Sequence, residues 1–252
     1  MPDLAEDSIN WFEMKGIAVR LQGRIVLEKV DWSFEKKEHW AILGGNGAGK
    51  STILRVLAQQ ISYCKGTLRR HPELQGVTHL GWVHLNQPLG LLAQEKLKDR
   101  WEEYSGRVQE QQTIRSMFSE YMLAEKECQD LLRLMKLDSK VDRPIRGLSN
   151  GEWRKLLLFQ SLILFPKLLM LDEPFDGLDK TSSKDFKSLL RELVQHSKLS
   201  LILVSHRQDE LIPEITDVMG LRNGKMEYSG RRSSILTEPN LKKLYRSETK
   251  AS

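Results

Sequence analysis

The chain has 252 residues, 40% of them hydrophobic, enough to bury one large core, or a core with a subdomain, rather than two domains of equal rank. Its 39 Lys and Arg exceed its 34 Asp and Glu for a formal net charge of +5, a surplus that suits solubility before any polyanionic partner. Cys64 and Cys128 stand far apart with no Cys or His at metal-ligand spacing, which argues against a disulfide framework or a zinc site and fits a reducing cytosol.

Residues 1–10 are acidic and lack the apolar stretch of a secretory signal, and the strongest apolar run, residues 156–165, is too short to span a bilayer. A membrane role is therefore expected to come through a partner. From residue 9 to 43 short β-type stretches alternate with turns. Ile17-Ala18-Val19 and Ile25-Val26-Leu27 flank the turn Gln22-Gly23-Arg24, and Val30, Trp32 and Phe34 alternate with polar residues, which predicts an antiparallel entry sheet.

The apolar run Trp40-Ala41-Ile42-Leu43 then meets Gly44-Gly45-Asn46-Gly47-Ala48-Gly49-Lys50-Ser51-Thr52, after which Ile53, Leu54, Leu57 and Ile61 recur at helical spacing. Strand, glycine loop and helix in this order are the setting of a P-loop. The glycines let successive backbone N–H groups turn inward around phosphate oxygens, and the helix N-terminus adds positive dipole. Lys50 can reach the outer phosphates, and Ser51 is placed to ligate Mg²⁺. The chain is thus expected to bind a nucleoside triphosphate.

The following helix is predicted to run to about Tyr63, with strands at Gly66-Thr67-Leu68-Arg69 and over residues 77–85. Between residues 89 and 146 long polar segments carry Cys128, Leu131, Leu132, Met135 and Leu137 at helical intervals, which predicts a helical subdomain. Its charged stretch, residues 94–115, mixes acidic with basic residues and reads as a solvated face rather than a nucleic-acid surface. From Leu148 the pattern is α/β: helices over 152–164 and 184–196 alternate with buried strands over 168–171 and 199–205. A strand over 217–221, the turn Arg222-Asn223-Gly224-Lys225, the piece Met226-Glu227-Tyr228 and a helix over 233–246 complete the chain.

The run Leu168-Leu169-Met170-Leu171-Asp172-Glu173 is an apolar strand ending in two carboxylates, suited to holding Mg²⁺ through Asp172 while Glu173 polarises water. Upstream, Leu148-Ser149-Asn150-Gly151-Glu152 opens a helix; alone it is an ordinary N-cap, yet Ser149 and the exposed amides could form a second phosphate site. Downstream, Leu201-Ile202-Leu203-Val204-Ser205-His206 ends a strand with a histidine, a common loop residue when it stands by itself.

Together and in this order, these pieces resemble an ATP-binding-cassette (ABC) ATPase domain across nearly the whole chain. Residues 44–52 match Walker A, 148–152 the signature, 168–173 Walker B, Asp176-Gly177-Leu178-Asp179 the D-loop, and His206 the switch histidine. Within the family, residues 38–44, 173–179 and 205–213 look like molybdate-type transport ATP-binding proteins. The resemblance implies an α/β fold, a RecA-like P-loop NTPase core with a mainly parallel sheet, an N-terminal antiparallel β-subdomain and an inserted helical subdomain. As one domain it divides into a β-subdomain with the P-loop core (about 9–85), the helical subdomain (about 89–150), the α/β core (about 151–230) and a C-terminal helix (about 233–246).

The resemblance further implies a head-to-tail dimer, of this chain or of paired cassettes, closing over two ATP, so that Ser149 and Gly151 of one copy contact the other's γ-phosphate. Asp179 joins that nucleotide site, Glu173 acts as base or water-positioning group, and His206 contacts the γ-phosphate. Three departures stand out. Asn150 and Glu152 occupy signature positions where the family more often has Gly and Gln. Leu85 sits at the usual spacing of the Q-loop glutamine, a further Mg²⁺ ligand, and Gln87 is the nearest candidate. Leu21 falls where relatives stack an aromatic on adenine, leaving either a loosely held base or Trp11 or Phe12 folded over it. The leading expectation is the Mg²⁺-dependent ATPase subunit of a transporter, cytoplasmic or peripheral on the inner face of a membrane through a separate permease. The alternatives are a soluble cassette acting on nucleic acid or ribosomes, a partner the mixed charge pattern disfavours, or half of a tandem protein.

Overall fold

The computed structural model describes residues 9–74, 79–84, 112–118 and 120–245. Contacts divide the chain into two compact units, one of residues 1–82, 165–173 and 191–252, the other of residues 83–164 and 174–190.

The first unit opens with a hairpin of β1 (Asn10–Leu21) and β2 (Arg24–Glu35). Leu21 faces Arg24 across a two-residue loop in which Gln22 and Gly23 have φ of 48° and 78°. Positive φ at both positions is the type I′ turn, whose twist matches that of the strands it joins. β4 (Lys65–Arg70) pairs with the other edge of β1, which completes the expected antiparallel entry sheet in the order β2-β1-β4. In β2 the side chains of Val30, Trp32 and Phe34 are buried and those of Asp31, Ser33 and Glu35 exposed, the period of a sheet with one wet face.

Trp11 and Phe12 belong to the same core, 4% and 1% exposed. The Trp11 indole donates from Nε1 to Ser200 Oγ at 2.8 Å, and Phe12 packs on Trp32 and Phe34 with ring centroids 4.8 and 5.2 Å apart. Neither ring is available to fold over a base, which overturns that alternative. Leu21 is half-buried against this core.

The second sheet of this unit has the order β5-β6-β7-β3-β8-β9. Its strands are β3 (His39–Leu43), β5 (Leu80–His84), β6 (Leu168–Asp172), β7 (Ser200–Ser205), β8 (Asp217–Arg222) and β9 (Lys225–Arg231). β6, β7, β3 and β8 run parallel, and β9 returns antiparallel through Asn223-Gly224, a second two-residue turn with positive φ at both positions. Every residue of β6 and β7 is buried, which accounts for their unbroken apolar runs: a parallel sheet covered on both faces gives no reason to alternate.

Helix α1 (Lys50–Leu57) stops six residues before the expected end at Tyr63. Gln59 turns left-handed at φ 57°, its N–H bonds to the Val56 carbonyl at 3.0 Å, and the Gln60 N–H reaches the Arg55 carbonyl at 2.9 Å. That pair of bonds is the Schellman closure, and it throws Ile61 back onto the core instead of along a further turn. The C-terminal helix expected over 233–246 is likewise two pieces, α7 (Arg232–Ile235) and α8 (Glu238–Tyr245). Pro239 has no N–H to give and its ring would strike the Ile235 carbonyl, so one helix cannot run through.

In the second unit the described helices are α2 (Ile114–Met117), α3 (Glu120–Ala124), α4 (Lys126–Leu134) and α5 (Asn150–Leu162). Helix α6 (Lys180–His196) begins four residues earlier than its apolar pattern alone implies, because Asp179 caps it. α4 ends by the same closure as α1: Lys136 has φ 57°, and the N–H groups of Lys136 and Leu137 bond the Arg133 and Leu132 carbonyls, both at 2.9 Å.

Both closures place a long polar side chain in the left-handed region, which costs about 1 kcal/mol relative to glycine, less what glycine loses in chain entropy. Gln59→Gly is therefore expected to stabilise the protein by about 0.5 kcal/mol. A urea midpoint that moves down instead of up would show that the exposed Gln59 side chain contributes more than its backbone strain costs.

Candidate functional site

The glycine loop leaves β3 and ends at α1, where the chain has little room. A β-carbon on Gly44 would lie 2.2 Å from the Leu221 carbonyl oxygen, and one on Gly49, which has φ 102°, would lie 2.7 Å from Leu27 Cδ2. The loop can therefore lie between β2 and β8 only as glycine at these two positions. Gly224 ties it down further, donating its N–H to the Ala48 carbonyl at 3.0 Å while its own carbonyl accepts from Glu28 N–H at 2.8 Å. Asn46 and Gly47 are exposed at the loop tip, whereas Ala48, Gly49, Lys50 and Thr52 are buried and Gly45 and Ser51 half-buried.

The Lys50 ammonium is 6% exposed and bonds the Gly44 and Gly45 carbonyls at 2.7 and 3.0 Å. It also pairs with Glu173 Oε1 at 3.0 Å. The second oxygen of Glu173 accepts from the His206 backbone N–H at 3.1 Å and meets its ring Nδ1 at 2.9 Å. Glu173 is thus held from two sides by residues 123 and 33 positions away in sequence, through the ends of three different elements.

Its backbone is strained as well. Glu173 has φ 50°, a left-handed conformation that costs a non-glycine residue about 1–2 kcal/mol, and its N–H is tied to the Val204 carbonyl at 3.0 Å. Asp172, one residue earlier at the end of β6, is 2% exposed. Adjacent carboxylates on a strand would point to opposite faces; the left-handed turn at Glu173 breaks that alternation and re-aims its side chain towards Lys50 and His206.

Behind His206 lies a group the sequence reading missed. Glu210 ends the short 3₁₀ turn Gln208–Glu210 and is 6% exposed. Ser205 Oγ donates to Glu210 Oε2 at 2.5 Å and accepts the Arg207 N–H at 2.8 Å, so serine and glutamate brace the turn that carries His206. Burial pushes the Glu210 carboxyl above its ordinary value, and the Glu173 charge adds to this; the Ser205 hydrogen bond and the charges of His206 and Arg207 oppose it. The only sequence sign was a glutamate five residues after a strand-end serine, a spacing with no meaning until the turn is known.

The remaining expected residues belong to the second unit. Ser149 caps α5: its Oγ accepts the Glu152 N–H at 3.3 Å, and Glu152 Oε2 accepts the Ser149 N–H at 2.8 Å. This is a reciprocal capping box that leaves the first turn of a 13-residue helix well ordered. A β-carbon on Gly151 would stand 3.3 Å from Ser182 Oγ. Asp179 accepts from the N–H groups of Thr181 and Ser182 at 2.9 and 3.0 Å and from Ser182 Oγ at 2.6 Å, bonds that hold its carboxyl below the usual range. Ser182, bonded to Asp179, thus also stands close to Gly151. Gln87 and Leu85, the two placements of the Q-loop position, lie outside the described residues.

Comparison with known proteins bears on this geometry. A family model described as ABC transporter matches residues 27–176. The Escherichia coli (strain K12) ABC transporter ATP-binding protein ModF is 30% identical over 236 residues, covering 91% of this chain and 46% of its own length. The Halorhodospira halophila zinc import ATP-binding protein ZnuC is 28% identical, covering 92% of this chain and 82% of its own. With ModF and a Schizosaccharomyces pombe ABC transporter ATP-binding protein at 46% and 45% coverage, the chain spans about half the length of these first relatives. Among solved structures, the ATP-binding cassette MJ1267 in its ADP conformation superposes with a TM-score of 0.72 at 20% identity, over 94% of this chain and 99% of that one. That likeness shows the P-loop NTPase fold with its antiparallel entry sheet and mainly parallel core.

The buried carboxyl of Glu210 makes a pH-dependent contribution whose sign follows from its raised value. The folded protein holds this proton more tightly than the unfolded chain, so the contribution is fully favourable below the ordinary value of 4.5 and is lost as pH rises through the raised one. Glu210→Gln removes the titration. In denaturation experiments from about pH 4 to about pH 8 the variant is expected to gain stability relative to the wild type as pH rises and then level off. A difference that does not change with pH would mean that Glu210 does not titrate as a buried group.

Proposed function

Because this chain belongs to the ABC transporter family, we propose that it is an ATP-binding and hydrolysing cassette that serves an ABC transporter, closing as a dimer over two ATP and coupling to a separate membrane partner. The observation that carries the reading is Glu173, strained at φ 50° and gripped by Lys50 on one oxygen and His206 on the other. A carboxylate held in this way is oriented for work on a water molecule rather than for stability.

In this reading the backbone N–H groups of residues 44–52 and the positive end of α1 bind the phosphates. A γ-phosphate oxygen competes with Glu173 for the Lys50 ammonium, so nucleotide binding frees Glu173 Oε1 to accept a proton from water while His206 keeps hold of Oε2. The Ser51 hydroxyl and the Asp172 carboxylate are both hard oxygen donors, a donor set that fits Mg²⁺. Mg²⁺ held there would neutralise charge building on the β- and γ-phosphate oxygens. Ser149 and Gly151 at the capped start of α5 would meet the γ-phosphate of a partner cassette, with Asp179 at the same closure.

No helix of the described residues is long and apolar enough to cross a membrane; in this reading the cassette sits on the inner face of a membrane through a separate permease. Relatives named for zinc and for sulfate/thiosulfate import stand at 28% and 30% identity beside the 30% of ModF, so similarity alone assigns no cargo, molybdate included. Relatives about twice as long as this chain favour a second reading, in which the cassette works as one half of a paired-cassette protein.

Titration separates the roles. Lys50→Ala is expected to weaken MgATP binding about 10- to 100-fold, as loss of a charge-assisted contact implies. Glu173→Gln is expected to keep binding while turnover falls about 10²-fold or more, and to accumulate as an ATP-bound dimer in gel filtration. Unchanged affinity in Lys50→Ala would refute the phosphate assignment. Wild-type turnover with only monomer in Glu173→Gln would refute both the base and the closure.

A further inference from the structure

The signature carries a negative charge where a phosphate is to arrive. Glu152 occupies the third position of α5, inside the turn whose N-terminus supplies amides to the anion in the reading above. Its carboxylate suits the helix dipole by itself, but beside a phosphate it is a like charge in the same field. One oxygen, Oε2, accepts the Ser149 N–H at 2.8 Å. The other, Oε1, is in close contact with Lys140 Nζ, with the two side chains only 22% and 26% exposed.

We propose that Lys140 is a positioning residue for the signature: it neutralises Glu152 and holds its carboxylate back on the Ser149 amide, so that the start of α5 can close on the phosphate of a partner cassette. Lys140 comes from the 3₁₀ turn Asp138–Lys140, twelve residues before Glu152, and its carbonyl is fixed by the Arg143 N–H at 3.0 Å. The surroundings are basic. Lys136 and Lys140 both stand near Lys155 on α5, where burial first and then their charges lower its pKa, with Asp185 opposing. Without Lys140, Glu152 keeps its capping bond but presents an uncompensated charge to the incoming anion.

The inference rests on the reading that the signature meets a partner's phosphate, and the test keeps the two apart. In a Glu173→Gln background, which traps the closed dimer, the ATP concentration at half-maximal dimer is measured by gel filtration for Lys140→Met, Lys140→Met with Glu152→Gln, Lys140→Arg and Ser149→Arg. Lys140→Met is expected to require about 10-fold more ATP, a defect that shrinks as salt rises because screening weakens the repulsion. Adding Glu152→Gln is expected to restore closure, since the neutral amide needs no counter-ion, and Lys140→Arg is expected to close as the parent does.

Monomer affinity for ATP is expected to stay at the parent value in the Lys140 variants, a result that a role confined to folding would not give. Should Lys140→Met fail to fold, Lys140→Gln, which keeps a polar stem, takes its place in the same comparison. Closure at the parent's ATP concentration in Lys140→Met, or a defect that Glu152→Gln does not relieve, overturns the proposal while the signature reading stands, provided Ser149→Arg blocks closure. Normal closure in Ser149→Arg overturns the signature reading and the proposal with it.

Discussion

A β-carbon at position 44 would sit 2.2 Å from the Leu221 carbonyl oxygen, well inside contact distance. This approach of the glycine loop to β8 is what the site depends on, because it fixes where α1 begins and therefore where Lys50 stands. β8 in turn is held by β3 on one side and β9 on the other, so the central sheet sets the position of the loop. In the proposed reading, a loop backbone fixed in this way is shaped in advance for an anion, so less ordering entropy would be lost on binding.

From that anchor the charges follow. Lys50, Glu173 and His206 stand at the start of α1 and just past the ends of β6 and β7, and the β6–β7–β3 order brings them together at the carboxyl end of the sheet's central strands. Parallel strands that all end on the same side collect functional residues there, the general rule for open α/β sheets. The left-handed Glu173 is the local cost of turning a strand-end carboxylate towards its two neighbours, and buried β6 and β7 supply the rigidity that sustains it.

The P-loop, the apolar strands and the capped helix at Ser149 were legible in the sequence, because each is a local pattern: glycines at fixed spacing, unbroken buried runs, a serine three residues before a glutamate. The early end of α1 was not, since Gln59 is no recognised helix stop and only the returning bonds from Gln59 and Gln60 close the turn. The split at Pro239 could have been read, as proline inside a helical period is a local signal; the apolar spacing around it masked the sign. Trp11 and Phe12 were offered as covers for a base because aromatic residues near a strand carry no mark of which face they take. Only the tertiary contacts, Trp11 with Ser200 and Phe12 with Trp32 and Phe34, put both in the core. Glu210 and Lys140 were invisible for a further reason: each acts through a partner brought close by a turn, and a turn's closure is not written in residue spacing.

The Asn223-Gly224 turn has a consequence for how the protein is made. Gly224 bonds Ala48 from the phosphate loop and Glu28 from the entry sheet, residues separated from it by most of the chain. During synthesis from the N-terminus, the glycine loop emerges long before the hairpin that brackets it: the Leu221 carbonyl that defines its floor does not exist until residue 221 is added, nor the Gly224 N–H that holds Ala48 until residue 224. Closing so long a loop is slow, and the contact is made late. A ribosome-bound chain stopped short of β8 would therefore carry every residue of Walker A and Walker B yet lack the strand that floors the glycine loop, so ATP could not act as a ligand that speeds its folding until the C-terminal hairpin had docked.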